Sequence, residues 1–239
     1  MRGSLKTEAI VLRSIRYGEA DRILHLYTPD LGRIGAIAKG VRRARSRFGG
    51  RLEPCARVDL VLHQGRSDLM TVTGADTIAS NARLREHGRA LDGAVRACDA
   101  VNRLFGDGEP HPPAYHLLCN ELALLDHEPE RATLSNQLAF RLKLLVAAGL
   151  APQLGSCASC GEAEDLVGFS GAAGGVVCGA CEAGAFPLGQ EAHEFMTGAL
   201  GAPLAQAPDA DVRALRQAER AITETAEHHA GVHLRAAVS

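Results

Sequence analysis

The chain has 239 residues, an apolar fraction of 46% and a net charge of -2, so it can form an ordinary buried core. It contains no run of eighteen or more apolar residues, and its first residues lack an apolar segment followed by a small-residue cleavage site. These features argue against a membrane-spanning or secreted protein, and we expect a soluble cytosolic one.

The charge is distributed unevenly along the chain. Residues 1–51 hold 12 Lys and Arg against 4 Asp and Glu, which leaves 14 against 24 for residues 52–239. A basic segment on an acidic body predicts that the basic segment binds a polyanion. The alternative is a solvated loop that is rich in arginine without binding anything.

The first eighty residues predict a small β-barrel. Five runs are rich in Val, Ile, Leu and Thr and are separated by Gly, Pro and Asp turn signals. These runs are residues 7–16, 21–30, 32–40, 57–65 and 68–78. In the fourth run, Val58, Leu60 and Leu62 alternate with residues of the opposite face. Five short strands with short links favour a barrel, because closure removes exposed sheet edges.

The rest of the chain has the apolar period of helices, apart from one insert. The helical runs are residues 90–105, 112–127, 132–150, 187–200 and 211–230. In the last run Val212, Leu215, Ile222 and Ala226 are predicted to share one side. The predicted fold class is therefore α+β, with a five-stranded barrel followed by a helical domain that is interrupted by an insert. The predicted segments are 1–80 for the barrel, 81–154 and 187–239 for the helical domain, and 155–186 for the insert.

The insert contains two C-x-x-C motifs, at the spacing of a four-thiolate zinc site. The four predicted ligands are Cys157, Cys160, Cys178 and Cys181. Two thiolates three residues apart can bend round one ion at about 2.3 Å, and two such pairs complete a closed tetrahedron. A closed shell leaves no position for water, so we predict a structural Zn²⁺ that folds a segment lacking a core of its own. A redox pair, disulfides and an iron-sulfur cluster are the alternatives.

The segment after the third strand run is the candidate polyanion site. It holds Lys39, Arg42, Arg43, Arg45 and Arg47, and Arg51 follows. Guanidinium groups match phosphate geometry, and counterion release makes such a loop adhesive without sequence preference. The aromatic residues of this part are Tyr17, Tyr27 and Phe48. Each of them fits a core or turn position better than a base-stacking one, and Phe48, between Arg47 and Gly49, is the best candidate for stacking.

Motifs of common enzymes are absent from the sequence. There is no phosphate-binding G-x-x-x-x-G-K-[ST], no G-x-G-x-x-G after a strand, no G-x-S-x-G and no H-E-x-x-H. The sequence therefore predicts no catalytic residues. Cys55, Cys98 and Cys119 lie among apolar neighbours and are interpreted as buried, inert thiols.

Two stretches resemble a known family. TEAIVLRSIRYGEADRILHLYTPDLGRIGAIAKGVRRARSRFGGRLEPCARVDLVLHQG is similar to the start of the bacterial recombination mediator RecO family, and FRLKLLVAAGLAPQLGSCASCG followed by CGAC is similar to its helix-to-zinc junction. The resemblance implies an N-terminal oligonucleotide-binding (OB-fold) barrel and a helical body with a zinc-binding insert. It implies an accessory DNA-repair protein that binds single- and double-stranded DNA and anneals complementary strands. It also implies action with RecR to load the recombinase RecA onto DNA coated by single-stranded-DNA-binding protein, and a nucleoid-associated location in the cytoplasm.

The resemblance also assigns site residues. The family's basic motif falls on Lys39, Arg42, Arg43, Arg45, Ser46, Arg47 and Phe48, and its zinc ligands fall on the four cysteines of the insert. From charge alone, Arg13, Arg16 and Arg22 are predicted to extend the DNA track.

Three other functions stay open at this stage. An RNA-binding or transcription-associated barrel with a zinc ribbon would prefer RNA through the 2′-hydroxyl. A zinc-dependent nuclease or deaminase would need an open metal coordination position. A scaffold would use the basic loop to bind an acidic protein tail, such as the C-terminal tail of the single-stranded-DNA-binding protein.

Overall fold

The computed structural model describes residues 3–43, 46, 48–65 and 69–237. These residues form two compact units, Met1–Pro129 and Glu130–Ser239. The four segments predicted from the sequence divide the chain more finely, and their boundaries stay a prediction.

The first unit is built on a closed barrel of five strands. The strands are β1 (Ser4–Tyr17), β2 (Asp21–Thr28), β3 (Gly32–Ala38), β4 (Arg57–His63) and β5 (Met70–Ala79). They are ordered β1-β2-β3-β5-β4, and β4 pairs with β1 to close the barrel. Every pair is antiparallel except β3 with β5. This sheet and the helices that follow it confirm the predicted α+β class with an OB-like barrel.

The long first strand takes part in both halves of the barrel. Its residues Ser4–Ile10 pair with β4, and its residues from Ile10 to Tyr17 pair with β2. The register shifts between Val11 and Arg13, which marks a β-bulge. A bulge bends a strand and increases its twist, so one strand can turn the corner that closure requires.

The barrel interior follows the alternation of the sequence. Val58, Leu60 and Leu62 of β4 are fully buried, as predicted, whereas Asp59 and His63 are exposed. Small and branched side chains from all five strands complete this core. At about 25 cal/mol per Å² of apolar surface, their burial is the main driving force for the barrel.

Two helices of the first unit, α1 (Gly88–Leu104) and α2 (Pro112–His127), follow the barrel and agree with the predicted runs. Tyr27 of β2 points outward from the barrel, and its ring lies 5.6 Å from that of Phe105 and 6.4 Å from that of Tyr115 between centroids. Tyr27 is fully buried. The outer face of β2 is therefore covered here by aromatic packing.

A polar contact also joins α2 to the barrel. The Arg57 guanidinium donates to Glu8 Oε2 from Nε at 2.9 Å and from Nη2 at 2.5 Å. The Tyr115 hydroxyl donates to the same oxygen at 3.2 Å. The Arg57 hydrogen bond is the main reason that the pKa of Glu8 lies below its ordinary value.

This contact predicts a pH-dependent contribution to stability. A carboxylate with a lowered pKa in the folded state stabilises at neutral pH, and this contribution is lost as the pH falls through the folded-state pKa. Glu8→Gln should therefore lower the free energy of unfolding by up to about 1 kcal/mol at pH 7, a limit typical of partly exposed pairs. Urea unfolding followed by circular dichroism from pH 7 to pH 3 checks this.

The parent protein and Glu8→Gln should have nearly equal free energies of unfolding at pH 3. Glu86→Gln, at an exposed position, is the control that should show no such convergence. If the free energy of unfolding of Glu8→Gln stays below that of the parent protein by the same amount down to pH 3, the stabilisation does not come from the charged form of Glu8.

The second unit combines three helices with a small sheet. The helices are α3 (Leu134–Ala147), α4 (Gln190–Gly201) and α5 (Val212–Ala230), and the strands are β6 (Leu166–Ser170), β7 (Gly175–Cys178) and β8 (Phe186–Pro187). The sheet has the order β7-β6-β8 and, apart from Pro187 at its end, lies within residues 155–186, the segment predicted as the zinc-binding insert. The rings of Phe169 and Phe186 pack 5.8 Å apart across it. In the part of the chain that is described, no helix is long and apolar enough to cross a membrane.

The last helix departs from the prediction at its first turn. Leu215, Ile222 and Ala226 are buried as expected, but Val212 is 60% exposed. Val212 is the first residue of α5, and Asp211 caps the helix by accepting a hydrogen bond from the Ala214 N–H at 2.6 Å. The periodicity correctly describes the face of the helix, but it does not show where the neighbouring elements end.

Candidate nucleic-acid interface and metal centre

The basic segment begins directly after β3 and lies against the turn between β1 and β2. The Arg42 N–H donates to Ala20 O at 2.9 Å, and the Gly40 N–H donates to Asp21 Oδ1 at 2.7 Å. The Arg42 side chain also donates from Nη1 to Glu19 O at 3.1 Å. These three bonds fix the path of the segment. Only Nη1 of the Arg42 guanidinium takes part in them, so most N–H donors of this side chain stay available to a ligand.

The predicted cations of this segment are exposed wherever they are described. Lys39, Arg42, Arg43 and Arg51 all present their side chains to solvent. Arg45 and Arg47 lie outside the described residues. The Ser46 hydroxyl oxygen accepts a hydrogen bond from the Phe48 N–H at 3.2 Å, which gives it a role in shaping the turn.

Phe48 does not occupy the position that base stacking requires. Its side chain is 1% exposed and belongs to the barrel core, where Leu52 from the same loop is buried beside it. A ring in this position cannot stack on a base. The burial of Phe48 agrees with the core position that the sequence favours for these aromatic residues, because burial of an aromatic ring outweighs the polar character of the surrounding loop.

The three arginines of the first two strands differ from one another. Arg13 and Arg16 are exposed. Arg22 donates from Nη1 to Ser14 Oγ at 3.1 Å and forms an ion pair with Glu53 at 3.3 Å. Arg22 therefore has a partner within the barrel, and the extension of the basic surface depends on Arg13 and Arg16.

An exposed aromatic residue near the basic segment is Tyr17, which the sequence interpretation assigned to a core or turn position. Its side chain is 54% exposed at the end of β1. Tyr17 is the register partner of Asp21, which accepts the Gly40 N–H, so it lies close to the basic segment. Ile15, on the same face of β1, is 37% exposed. The alternation of Ile15 and Tyr17 just before the Gly18 turn was the signal that could have identified this face.

An open groove of about 610 Å³ borders the basic segment. Its lining includes Gly49, Gly50 and Arg51 from this segment, Thr77 from β5 and Ser80, which follows β5. Gly49 has a φ of +53°, a conformation that other residues adopt at a cost. Hydroxyl groups, backbone N–H groups and an arginine are the donors that commonly contact phosphate and sugar.

The four cysteines of the insert come together as predicted. Their Sγ atoms all lie within 4.8 Å of one another, and those of Cys160 and Cys178 are 3.6 Å apart. Four sulfurs at about 2.3 Å from a central ion would be separated by about 3.8 Å. The cluster therefore fits a tetrahedral metal ion with a closed shell of four thiolates.

Backbone geometry positions the two pairs of thiols. The Gly161 N–H donates to Cys157 O at 2.8 Å, which folds the first pair into a tight turn, and Cys178 ends β7. A Cβ at Gly179 would lie 2.7 Å from Asp165 Oδ2, so a larger residue where the second pair begins its turn would displace the Asp165 side chain. The thiols thus meet on a small frame whose own apolar packing is limited to a few residues.

Two thiols of the cluster have pKa values that are shifted in opposite directions. Backbone hydrogen bonding at Cys178 lowers the pKa of Cys157 to about 6. The neighbouring Cys160 and Cys178 sulfurs raise the pKa of Cys181 to about 12. One thiolate forms easily and then opposes ionisation of the next, because like charges at this distance repel. A divalent metal ion would remove this conflict.

The fold and the two sites define a class of protein: an OB-type barrel with a basic loop, followed by a helical body with a four-cysteine cluster that could hold a metal ion. Comparison with known families agrees with this class. The family described as "Recombination protein O N terminal" matches residues 1–81, and "Recombination protein O C terminal" matches residues 85–237. The chain belongs to the RecO family of DNA repair proteins.

Several curated relatives are similar over nearly the whole chain. The DNA repair protein RecO of Rubrobacter xylanophilus is 39% identical over 98% of this chain and 94% of its own length. That of Anaeromyxobacter dehalogenans is 34% identical over 97% of this chain and 94% of its own length. That of Bifidobacterium animalis is 41% identical over 72% of each chain.

Proposed function

We propose that this protein binds single- and double-stranded DNA through its barrel and anneals complementary strands during DNA repair and recombination. The observation that carries the proposal is the surface formed by Lys39, Arg42 and Arg43 beside the exposed ring of Tyr17. Cations that track a phosphate backbone and an aromatic ring that stacks on bases are the two components of sequence-tolerant strand binding.

Annealing follows from the same electrostatics. Two complementary strands repel each other through their phosphates, and this repulsion is reduced when arginine and lysine side chains neutralise part of the charge. Contacts to phosphate rather than to base edges leave the Watson–Crick groups of each strand free to pair. The proposed role needs no catalytic residue, and we propose that the protein is an accessory factor rather than an enzyme.

Membership of the family supports a set of partners. We propose that the protein acts with RecR, contacts the C-terminal tail of the single-stranded-DNA-binding protein, and promotes loading of RecA without binding it as its main partner. Its place of action would be the nucleoid in the cytoplasm.

The four-cysteine cluster supports a structural Zn²⁺. Cys157, Cys160, Cys178 and Cys181 would hold the ion, and the ion would stabilise the fold of the insert. A closed set of four thiolates leaves no position for a substrate, which argues against a zinc-dependent nuclease or deaminase.

The role of Tyr17 gives the proposal a test. We expect Tyr17→Ala to bind a fluorescent 20-nucleotide single strand about tenfold more weakly, because losing one base-stacking contact costs about 1–3 kcal/mol. Annealing of that strand to its complement should slow in parallel, whereas Tyr17→Phe should behave like the parent protein. Fluorescence anisotropy measures binding, and quenching between end-labelled complementary strands measures annealing.

The control for general surface effects is Val95→Ala, which removes an exposed apolar side chain from α1. An RNA strand of the same sequence tests the transcription-associated alternative. Tighter binding to RNA than to DNA would contradict the proposal, and so would a parent protein that binds neither strand and does not accelerate annealing.

A further inference from the structure

Two cysteines of the first unit, outside the four-cysteine cluster, contact each other. Cys55 lies in the turn before β4 and Cys98 lies in α1, and their Sγ atoms are 3.9 Å apart. Each residue is 1% exposed. Their burial agrees with the interpretation from the sequence, but their contact was not predicted. None of the functional assignments made above uses this pair.

The backbone of Cys55 is held in a conformation that is unfavourable for a cysteine. Its φ is +68°, in the left-handed region that favours glycine. The Cys55 N–H donates to Val11 O at 2.9 Å, and the Cys55 carbonyl oxygen accepts from Asn81 Nδ2 at 2.7 Å. Conformations of this kind persist only where the surroundings enforce them, and they are concentrated at functional positions. Here the enforced backbone keeps the thiol directed at α1.

Cys98 is fixed by its position in the interior of α1. The helix has 17 residues, and Cys98 belongs to the buried face that also holds Ala94, Ala97 and Val101. A helix restricts the side-chain rotamers of its residues. Both thiols therefore project from a well-defined backbone, and only small rotations are needed to shorten their distance to the bond length of a disulfide, about 2.05 Å.

The two thiols differ in how easily they ionise. The hydrogen bond with the Cys98 thiol lowers the pKa of Cys55, and the positive charge of Arg85 adds to this effect. The hydrogen bond with Cys55, together with burial, raises the pKa of Cys98. Because the thiolate is the nucleophilic form of cysteine, Cys55 is the thiol that reacts first.

We propose that Cys55 and Cys98 form a reversible disulfide when the protein meets hydrogen peroxide, and that this bond locks α1 to the barrel. The Cys55 thiolate attacks one peroxide oxygen and breaks the O–O bond, which leaves a sulfenic acid on Cys55. The released hydroxide takes the proton that Cys55 lost and becomes water. The Cys98 sulfur then attacks the Cys55 sulfur, and the Cys98 proton leaves with the hydroxyl group as a second water. The two thiols lose two electrons, and these reduce the peroxide.

The structure favours a small oxidant for this reaction. The open groove beside the basic segment is lined by Ala56 and Ser80, so solvent reaches the residue next to Cys55. The turn itself is held by the exposed Arg85 side chain, which donates from Nη2 to Pro54 O at 3.3 Å. Short segments at the surface open locally without global unfolding. A brief opening of this turn admits a peroxide molecule but not a bulky disulfide such as oxidised glutathione.

The disulfide would restrain parts of the chain that are distant in sequence. It joins residues 43 positions apart and so reduces the conformational freedom of the unfolded chain. It also holds the turn that follows the basic segment against α1. The oxidised protein should therefore be more stable than the reduced one.

The proposal is tested on the full chain with hydrogen peroxide as the oxidant. After oxidation, free thiols are blocked with N-ethylmaleimide, and the protein is digested with trypsin without a reductant. Cleavage after arginine places Cys55 in the peptide of residues 52–57 and Cys98 in that of residues 97–103, each with one cysteine. Mass spectrometry should find these two peptides linked as their main form. Dithiothreitol added before the blocking step should return both to the alkylated form.

Melting curves test whether the bond acts as a lock. The oxidised parent protein should melt about 5 °C or more above the reduced one, as expected for a disulfide that closes a long loop. Cys55→Ser and Cys98→Ala should each lose this rise, whereas Cys119→Ser should keep both the linked peptides and the rise. Each variant is treated in parallel with the parent protein, because oxidation of the four-cysteine cluster affects all of them alike.

Three results would overturn the proposal. One is recovery of Cys55 and Cys98 as alkylated or further oxidised peptides without a link between them. Another is linkage of Cys55 to other cysteines as often as to Cys98, which would indicate exchange in unfolded chains. The last is an equal change of melting temperature in the parent protein and Cys98→Ala. The peptide map uses the parent protein alone, so it remains decisive if a variant folds poorly, and it does not depend on whether the barrel binds DNA.

Discussion

A chain with Arg42, Arg43, Arg45 and Arg47 changed to alanine is expected to bind a short single strand with a log–log salt slope shallower by about 3 units. Each phosphate contact to a single strand contributes about 0.7 to this slope, because each contact releases counterions from the strand. The smaller variant Arg42→Ala/Arg43→Ala, at two exposed positions beside the β1–β2 turn, should lose about 1.4 units. Affinity should fall most at low salt, where counterion release contributes most.

The matched control for these variants is Arg213→Ala/Arg216→Ala, which removes two exposed arginines from the second unit. Its slope should equal that of the parent protein. Titrations by fluorescence anisotropy from 50 to 400 mM salt give the slopes, and thermal melting checks that each variant is folded. If the four-arginine variant keeps the parent slope, the DNA path lies elsewhere and these arginines are assigned to a protein partner.

Removal of metal from the four-cysteine cluster is expected to lower the melting temperature by about 10 °C or more. The thiols lie on a small sheet with little apolar packing of its own, so a metal bound only in the folded state contributes directly to folding. For a chain of this size, each kcal/mol of lost stability lowers the melting temperature by about 2–4 °C. Chelation followed by differential scanning calorimetry measures this effect, and native mass spectrometry counts the bound ions before and after.

A cysteine variant separates loss of metal from other effects of the chelator. Cys160→Ser should lose the ion and melt near the temperature of the chelated parent protein. Cys119→Ser removes a thiol that lies outside the cluster and should keep one bound ion. An unchanged melting temperature after confirmed loss of metal would contradict a structural role for the ion. Absorption bands typical of an iron-sulfur cluster in the purified protein would show that the four cysteines hold such a cluster and not zinc.

Local regularities of the sequence determined the elements and the cluster of thiols. Strands and helices each bury one face, which gives strands an apolar period of two residues and helices one of three or four. The change of period along the chain therefore separates the barrel from the helices, and the predicted runs overlap the observed elements. The two C-x-x-C motifs place their thiols in pairs by local backbone geometry alone. The spacing of 17 residues between them then needs only a short hairpin to bring the pairs together.

The tertiary structure alone decided which side chains are available at the surface. Phe48 and Tyr17 both stand next to glycine in polar surroundings, yet Phe48 fills the barrel core while Tyr17 is exposed at the end of a strand. Similarly, Val212 continues the apolar pattern of α5 but lies where no neighbouring element covers it. The contact of Glu8 with Arg57 and Tyr115 joins residues up to 107 positions apart. Burial and pairing depend on which distant segments close over a residue, and the period of the surrounding sequence does not contain that information.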